Sequence, residues 1–191
     1  MMEEDRVYIK PDEIASLPKG LRIYRGPKGG IYYKRSEYEQ IKEREGKDVI
    51  GDAPTEKQVS YVNSLKNTIM QRLNEKWEKE YSASRTFGLE HTYYDMIAIV
   101  ALKMWMKDKV NEAKDKKKMS DLIDKLKKVD SVTRGGFRGL HMSLPKLLGS
   151  EYEIYYDRVL NALYDVGGST SEETSKMKME MLNKLWSSVR L

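Results

Sequence analysis

Residues 96–106 read MIAIVALKMWM, and apolar side chains occupy nearly every position of this segment. At helical spacing, such a segment has apolar residues around almost its whole circumference. A helix of this kind needs neighbours on several sides, because any uncovered side would expose large apolar groups to water. The segment therefore predicts a central helix that other helices enclose.

The preceding segment has the pattern of a long amphipathic helix. Its apolar residues recur at steps of three and four, at Val59, Val62, Leu65, Ile69, Leu73 and Trp77. This spacing places them on one face. Thr55 and Gln58 have the spacing of a capping box at its start. The periodic pattern breaks between Ser82 and Gly88, which predicts the end of this helix.

Further helices are predicted in the second half of the chain. Ser120 is a candidate cap for one helix, and Ser143, followed by proline, opens a short one. Residues 151–166 and a last segment that opens at Ser171 also have apolar residues at helical spacing. These segments predict a bundle of about five helices.

The first 46 residues have a different composition. Residues 7–9, 21–25 and 31–34 are short segments rich in strand-forming residues, and the glycines of residues 26–30 suit a hairpin loop. Residues 37–45 predict one short helix. We therefore expect a mainly α fold, with a small β-hairpin module at 1–46, a linker at 47–54 and a helical bundle domain at 55–191.

Composition limits the classes of function. The chain has no cysteine, so disulfides, cysteine-based zinc sites and thiol nucleophiles are excluded. No apolar run reaches the ~18 residues that a membrane span needs, and the N-terminus has no apolar signal region. We expect no membrane partner, and a location in the host cytoplasm or within a virion. Abundant Lys and Glu indicate a thermophilic source.

The most basic short stretch lies in the predicted hairpin. Between Pro18 and Ser36 there are six cationic residues and no acid. Cations bind phosphate, and aromatic rings stack on bases. The alternative is that the tyrosines cover a thin sheet whose edges the cations protect. The candidate nucleic-acid contacts in this stretch are Arg22, Tyr24, Arg25, Lys28, Tyr32, Lys34 and Arg35.

Two sequence motifs resemble known modules. Residues 18–24, PKGLRIY, and 26–33, GPKGGIYY, resemble short GP[RK]GGxYY hairpin modules in proteins of archaeal and bacterial viruses and mobile elements. This resemblance implies a viral or mobile-element context and no defined activity. Residues 55–65, TEKQVSYVNSL, resemble a TxKQxxYVxxL helix of small phage-type domains that often accompany DNA-processing proteins.

Two more segments are candidate phosphate contacts. Residues 103–128 contain ten lysines and five acids, and Lys116, Lys117 and Lys118 lie where a helix begins. The alternative is a solvated connector between helices. Arg134 and Arg138 flank glycines in RGGFRG, within residues 131–150, which contain no acid. That segment suits close approach to a ligand, or a loop anchored by its phenylalanine.

The sequence predicts no catalytic residue, metal site or cofactor. His91 and His141 are the two histidines, and neither has the spacing of a metal-ligand pair. The chain contains no phosphate-binding loop, dinucleotide fingerprint or nucleophile elbow. We therefore expect no enzymatic activity.

We expect a non-enzymatic protein of an archaeal virus or mobile element that binds nucleic-acid phosphates with little sequence specificity. The alternative is a structural or adaptor protein, such as a virion component, that assembles through protein–protein contacts. A homo-oligomer through the C-terminal helix, at residues 177–189, would fit either. A DNA-processing enzyme built from scattered acids is a third alternative.

Overall fold

The structure is a computed structural model that describes residues 5–45, 51–87 and 92–191, with only the backbone described at residues 84–87. It is mainly α-helical, with a small antiparallel sheet near the N-terminus followed by a helical bundle. The predicted fold class is confirmed. The predicted division into a module at 1–46, a linker at 47–54 and a domain at 55–191 stays a prediction. Residues 46–50, where the module meets the linker, lie outside the described residues.

The N-terminal sheet has three antiparallel strands in the order β1-β3-β2. They are β1 (Arg6–Ile9), β2 (Tyr24–Arg25) and β3 (Ile31–Lys34), with a 3₁₀ helix at Pro11–Ser16. The second strand is shorter than predicted. Leu21 and Ile23 lie outside the sheet and are buried, and Ile23 packs in the hydrophobic core.

The hairpin loop needs its glycines for two reasons. Gly29 has a φ of +87°, in the left-handed region that favours glycine. The ring of Tyr8 lies against Gly26 and Gly30, so that a Cβ at either position would come within 2.7 Å or 3.0 Å of Tyr8 atoms. The loop closes with a hydrogen bond from the Gly26 amide to the Gly30 carbonyl (2.7 Å).

Seven α-helices are found in the described part of the chain. They are α1 (Arg35–Glu45), α2 (Glu56–Phe87), α3 (Tyr93–Glu112), α4 (Lys116–Arg134), α5 (Leu140–Leu148), α6 (Ser150–Tyr164) and α7 (Ser171–Ser188). Every residue from Met96 to Met106 is buried, and α3 contacts α2, α4, α5, α6 and α7. The predicted central helix is therefore confirmed.

Side-chain caps define where α2 and α4 begin. The Thr55 hydroxyl accepts the Gln58 amide hydrogen (3.2 Å), and the Gln58 side chain accepts from the Thr55 amide (2.9 Å), which confirms the capping box. The predicted cap at Ser120 is wrong. Asp115 caps α4 by accepting from the Lys118 amide (2.8 Å), so the lysine run forms the first turn of this helix.

Helix α2 continues to Phe87, so it ends beyond the predicted break at Ser82. Residues 82–87 contain neither glycine nor proline, so nothing in the backbone stops the helix there. Tyr81 packs against the core and supports the turn before this segment.

Helices α2 and α4 run parallel, side by side. The Gln58 side chain donates to the Lys116 carbonyl (3.3 Å) and to the Ser120 hydroxyl (3.0 Å). Arg72, further along α2, donates to Asp130 (2.5 Å), further along α4. Because the paired positions advance in the same direction, the two helices begin at the same end of the bundle.

A buried arginine joins the N-terminal segment to α6. Arg158 is 1% exposed. Its Nε donates to the Leu21 carbonyl (2.9 Å), and its Nη2 donates to the Leu21 (2.7 Å) and Pro18 (2.6 Å) carbonyls. The irregular segment before β2 thus obtains from the bundle the partners that a neighbouring strand would otherwise supply.

Candidate nucleic-acid interface

Arg25 holds the hairpin against the C-terminal part of α6. Its Nη1 donates to the Gly29 carbonyl (2.5 Å) and forms an ion pair with Asp165. Its Nη2 donates to the Asn161 carbonyl (2.6 Å), and the guanidinium lies 4.2 Å from the centre of the Tyr164 ring. These contacts use its donors within the molecule, so Arg25 acts here as a docking residue.

The two predicted stacking tyrosines also have partners in the sheet. Tyr32 is 6% exposed and lies between the rings of Tyr8 and Tyr24, at 5.5 Å and 5.6 Å. The Tyr24 hydroxyl donates to Glu37 (2.6 Å). Burial, and then this hydrogen bond, raises the pKa of Tyr24 to about 12. Lys34 lies 3.5 Å from Glu37 and above the Tyr24 ring.

The other hairpin cations face solvent. Arg22, Lys28 and Arg35 are exposed. Their side chains form no hydrogen bond or ion pair within residues 5–45, 51–87 and 92–191. The sheet therefore presents three separate cations, and the tyrosines predicted to accompany them are packed within it.

The third basic segment lies away from the lysine run. Lys116 and Arg134 are at opposite ends of α4, about 27 Å apart at 1.5 Å per residue. Arg134 donates to Asp130 (2.5 Å), whereas Arg138 is exposed beside a cleft between α2 and α3. Phe137 packs against the core, as expected if it anchors the loop.

Asp130 is held between two arginines, on neighbouring helices. Its carboxylate accepts from Arg72 and from Arg134, each at 2.5 Å. Burial opposes ionisation of Asp130, but the two hydrogen bonds outweigh it and lower the pKa of the carboxyl. Because one carboxylate is shared between two arginines, the charge of Arg134 is only partly offset.

Exposed lysines cluster where α2 and α4 begin. Lys57 follows the first residue of α2, and Lys114, Lys116 and Lys117 surround the start of α4. All four are exposed, and their side chains make no ion pair with the described residues. We call these four residues the lysine cluster. Lys57 was not predicted as part of this site, because only the parallel pairing of two distant helices brings the start of α2 close to α4.

Acidic residues also lie near the lysine cluster. Asp115 is 7% exposed, and its carboxylate caps α4. Glu112 forms ion pairs with Lys19 and Lys109. The exposed acids in this region are Asp52, Glu56, Asp121 and Glu45, which lines a cleft with Lys114. Both helix N-termini add partial positive charge to that of the lysines at this end.

Asp95 and His141 form a second polar site, which was not predicted from sequence. Asp95 accepts from the amides of Gly139 (3.1 Å) and His141 (3.2 Å) and lies 2.7 Å from His141 Nδ1. Gly139 is the N-cap of α5 and has no side chain, so Asp95 from α3 performs the capping. His91 lies outside the described residues.

Within the described ranges, no group of three or more His, Asp or Glu side chains is arranged to hold a metal ion. The DNA-processing alternative needs such a cluster in a cleft, and the described residues do not form one.

Lys103 is a buried cation in the central helix, 8% exposed. Its ammonium donates to the Trp186 carbonyl (2.7 Å) near the end of α7 and lies 4.1 Å from the centre of the Trp186 ring. Burial lowers the pKa of Lys103 to about 8. The unfolded chain therefore binds a proton at this residue more tightly than the folded protein does.

We expect the stability of the wild type relative to Lys103→Met to rise as the pH increases from about 8 to about 10.5, by on the order of 2 kcal/mol. In this interval the unfolded state binds more protons, so increasing pH favours folding. Urea unfolding at several pH values measures the difference. An exposed control, Lys128→Met, should show no such rise; a pH-independent difference between wild type and Lys103→Met would contradict the prediction.

Comparisons with protein-family models, curated proteins and solved structures were made for the whole chain. None of them found a match. The resemblances of residues 18–33 and 55–65 therefore stay predictions. Among the helices that the structure describes, none is both long enough and apolar enough to cross a membrane.

Proposed function

We propose that the protein is a non-enzymatic nucleic-acid-binding protein that contacts the phosphate backbone where α2 and α4 begin. The observation that carries the proposal is the parallel pairing of these helices, in which Gln58, next to Lys57, contacts the first turn of α4, where Lys116 and Lys117 lie. Lysines and helix N-termini both attract phosphate oxygens. Contacts to the backbone carry no base information, so little sequence preference is expected.

The proposed interface is narrower than the one predicted from sequence. Arg22, Lys28, Arg35 and Arg138 remain candidate secondary contacts, because their side chains are exposed and form no hydrogen bond or ion pair with the described residues. Residues with internal partners receive a structural role instead, and these are Tyr24, Arg25, Tyr32, Lys34 and Arg134. Lys118 is half-buried and lies at the edge of the lysine cluster.

The biological context is a further part of this proposal. A viral or mobile-element origin, with a location in the host cytoplasm or in a virion, is supported by the GPKGGIYY motif of residues 26–33. The proposed backbone contact does not depend on that origin. The two can therefore be tested separately.

The double variant Lys116→Gln/Lys117→Gln tests the interface. We expect it to bind a 20-base-pair duplex at least about tenfold more weakly at 0.1 M salt, because two counterion-releasing contacts are lost. The slope of log K against log salt concentration should fall by about 2. Fluorescence anisotropy titrations at four or more salt concentrations measure both quantities.

A matched control removes two adjacent exposed lysines from the same helix. Lys127→Gln/Lys128→Gln changes the net charge equally, but it does so away from the start of α4. This control should keep most of the wild-type affinity. Equal losses for the two double variants would assign binding to net charge alone, and a flat salt dependence of the wild type would overturn the proposal.

The second candidate function is a structural or adaptor protein. It is favoured by the exposed surface of α2 at residues 59–74, which carries no exposed charge. The C-terminal helix α7 offers little apolar surface for assembly, since Met179, Leu182, Leu185 and Trp186 are buried and Met177 is 38% exposed. Any self-association is therefore better supported on α2 than on α7.

A further inference from the structure

The outer face of α2 carries no exposed charge between residues 59 and 74. The two charged residues in this interval, Lys66 and Arg72, are half-buried, and Arg72 is paired with Asp130. The exposed residues are Val59, Ser60, Tyr61, Asn63, Ser64, Asn67, Thr68, Gln71 and Asn74. Because 34% of the chain is charged, such a long neutral stretch of exposed helix needs a reason.

The neighbouring helix α4 has the surface that is usual for this chain. Its exposed residues are mostly charged: Lys116, Lys117, Ser120, Asp121, Asp124, Lys127, Lys128, Ser131 and Arg134. Asn, Ser and Thr are weaker helix formers than Lys or Glu. On this face Thr68 donates to the Ser64 carbonyl (2.9 Å) and Gln71 donates to Glu75 (3.5 Å). The side chains of Ser60, Asn63, Asn67 and Asn74 form no hydrogen bond with the described residues. The composition of this face therefore favours a contact outside the molecule.

Six of the exposed polar residues form one straight stripe. At 100° per residue they point away from the buried residues Val62, Leu65, Ile69 and Leu73. They are Ser60, Asn63, Ser64, Asn67, Gln71 and Asn74, and we call them the amide stripe. Two serines near its start allow another backbone to approach closely.

We propose that the amide stripe binds the amide stripe of a second copy of this chain in an antiparallel, two-fold symmetric pair. Side-chain amides and hydroxyls both donate and accept hydrogen bonds, so a surface made of them is complementary to itself, as a two-fold interface requires. This inference deepens the second candidate function and uses none of the four residues of the lysine cluster.

The net charge of the chain restricts where a second copy can dock. Each chain has a formal charge of +5, so two copies repel each other wherever their cationic surfaces meet. The residues of the amide stripe carry no charge, so they add nothing to this repulsion. An acidic partner protein would gain nothing from a neutral surface, and a polyanion would be attracted to the exposed lysines instead.

The size of the stripe sets the strength of the pair. Fifteen residues of helix are about 22 Å long, and two such faces bury on the order of 1,000 Å², at the small end of specific interfaces. We therefore expect a weak dimer that forms in the micromolar range and above. Its population should depend on protein concentration.

The two-fold axis must pass near the middle of the stripe if the whole stripe is buried. Asn67 is the central residue and would face Asn67 of the second copy. A charge placed at this position would therefore meet an identical charge, whereas opposite charges on two variants would attract. Opposite charges on two variants should therefore restore the dimer, and simple loss of a contact would not give this result.

Sedimentation velocity of the full chain, from 5 µM to 500 µM, tests the proposal with the variants Asn67→Glu and Asn67→Lys. The wild-type mass should rise from 22.3 kDa toward twice that value. Each variant alone should remain monomeric, with the apparent dissociation constant raised at least tenfold. An equimolar mixture of the two should dimerise again.

Ser131→Glu, on the exposed side of α4, is the matched control and should dimerise like the wild type. A monomeric wild type at 500 µM, or a mixture that stays monomeric, would overturn the proposal. A 20-base-pair duplex is titrated in parallel. If Asn67→Glu abolishes duplex binding while the wild type stays monomeric, the stripe contacts nucleic acid instead. If the lysine-cluster variant binds duplex normally but the wild type dimerises, the nucleic-acid proposal fails alone.

Discussion

Replacing Trp105 with alanine should lower the free energy of unfolding by about 3–5 kcal/mol, the largest loss expected from one substitution in this protein. Trp105 is fully buried in the central helix α3, where several helices surround it. Removing its ring leaves a cavity that the rigid neighbours fill only in part. Urea unfolding followed by circular dichroism measures the loss, and the variant should melt roughly 10 °C below the wild type.

The same residue allows a second comparison, because the indole nitrogen of Trp105 is buried without a hydrogen-bond partner among the described residues. Trp105→Phe removes this unsatisfied donor together with part of the ring. The two effects oppose each other, so we expect a stability within about 1 kcal/mol of the wild type.

Trp77 provides the matched control for that comparison. It is 3% exposed, and its indole nitrogen donates to Asn183 (3.0 Å). Trp77→Phe therefore breaks a hydrogen bond and should cost about 1 kcal/mol more than Trp105→Phe. A Trp105→Phe variant as unstable as Trp105→Ala would contradict this account of the unsatisfied donor.

Replacing Arg158 with methionine should lower the free energy of unfolding by about 1–3 kcal/mol. Methionine keeps the apolar stem but leaves the Leu21 carbonyl without its guanidinium donors, and an orphaned buried acceptor costs about 1–3 kcal/mol. The Pro18 carbonyl loses one donor but still accepts from the Leu21 amide (3.3 Å). Burial disfavours the charged guanidinium and lowers the pKa of Arg158. Methionine removes this buried charge, so part of the lost stability is recovered. The expected decrease in the free energy of unfolding is therefore limited.

Urea unfolding of Arg158→Met, with hydrogen exchange at residues 18–24, tests this prediction. Amide exchange in the segment should accelerate, because its attachment to α6 is lost. Arg138→Met, at an exposed position, is the control and should change stability by less than about 0.5 kcal/mol. An Arg158→Met variant within that limit would show that other contacts hold the segment.

The candidate site was only partly predictable from sequence. The runs that contain Lys116 and Arg25 were both recognised as basic, but basic residues do not name their partners. Arg25 pairs with Asp165, 140 residues further along the chain, and so became a docking residue. Lys57 gained importance only because Gln58 contacts the start of α4.

The amino-acid sequence by itself determined the helical character of the protein, the hairpin glycines and the central position of α3. These features follow from periodicity and from bonds between close neighbours, such as Thr55 with Gln58. The tertiary structure alone decided the parallel pairing of α2 with α4, the capping of α5 by Asp95 and the use of Arg158 as an anchor. Each of these depends on contacts between distant segments, and side-chain charge and spacing do not encode which distant group will lie within a few ångströms.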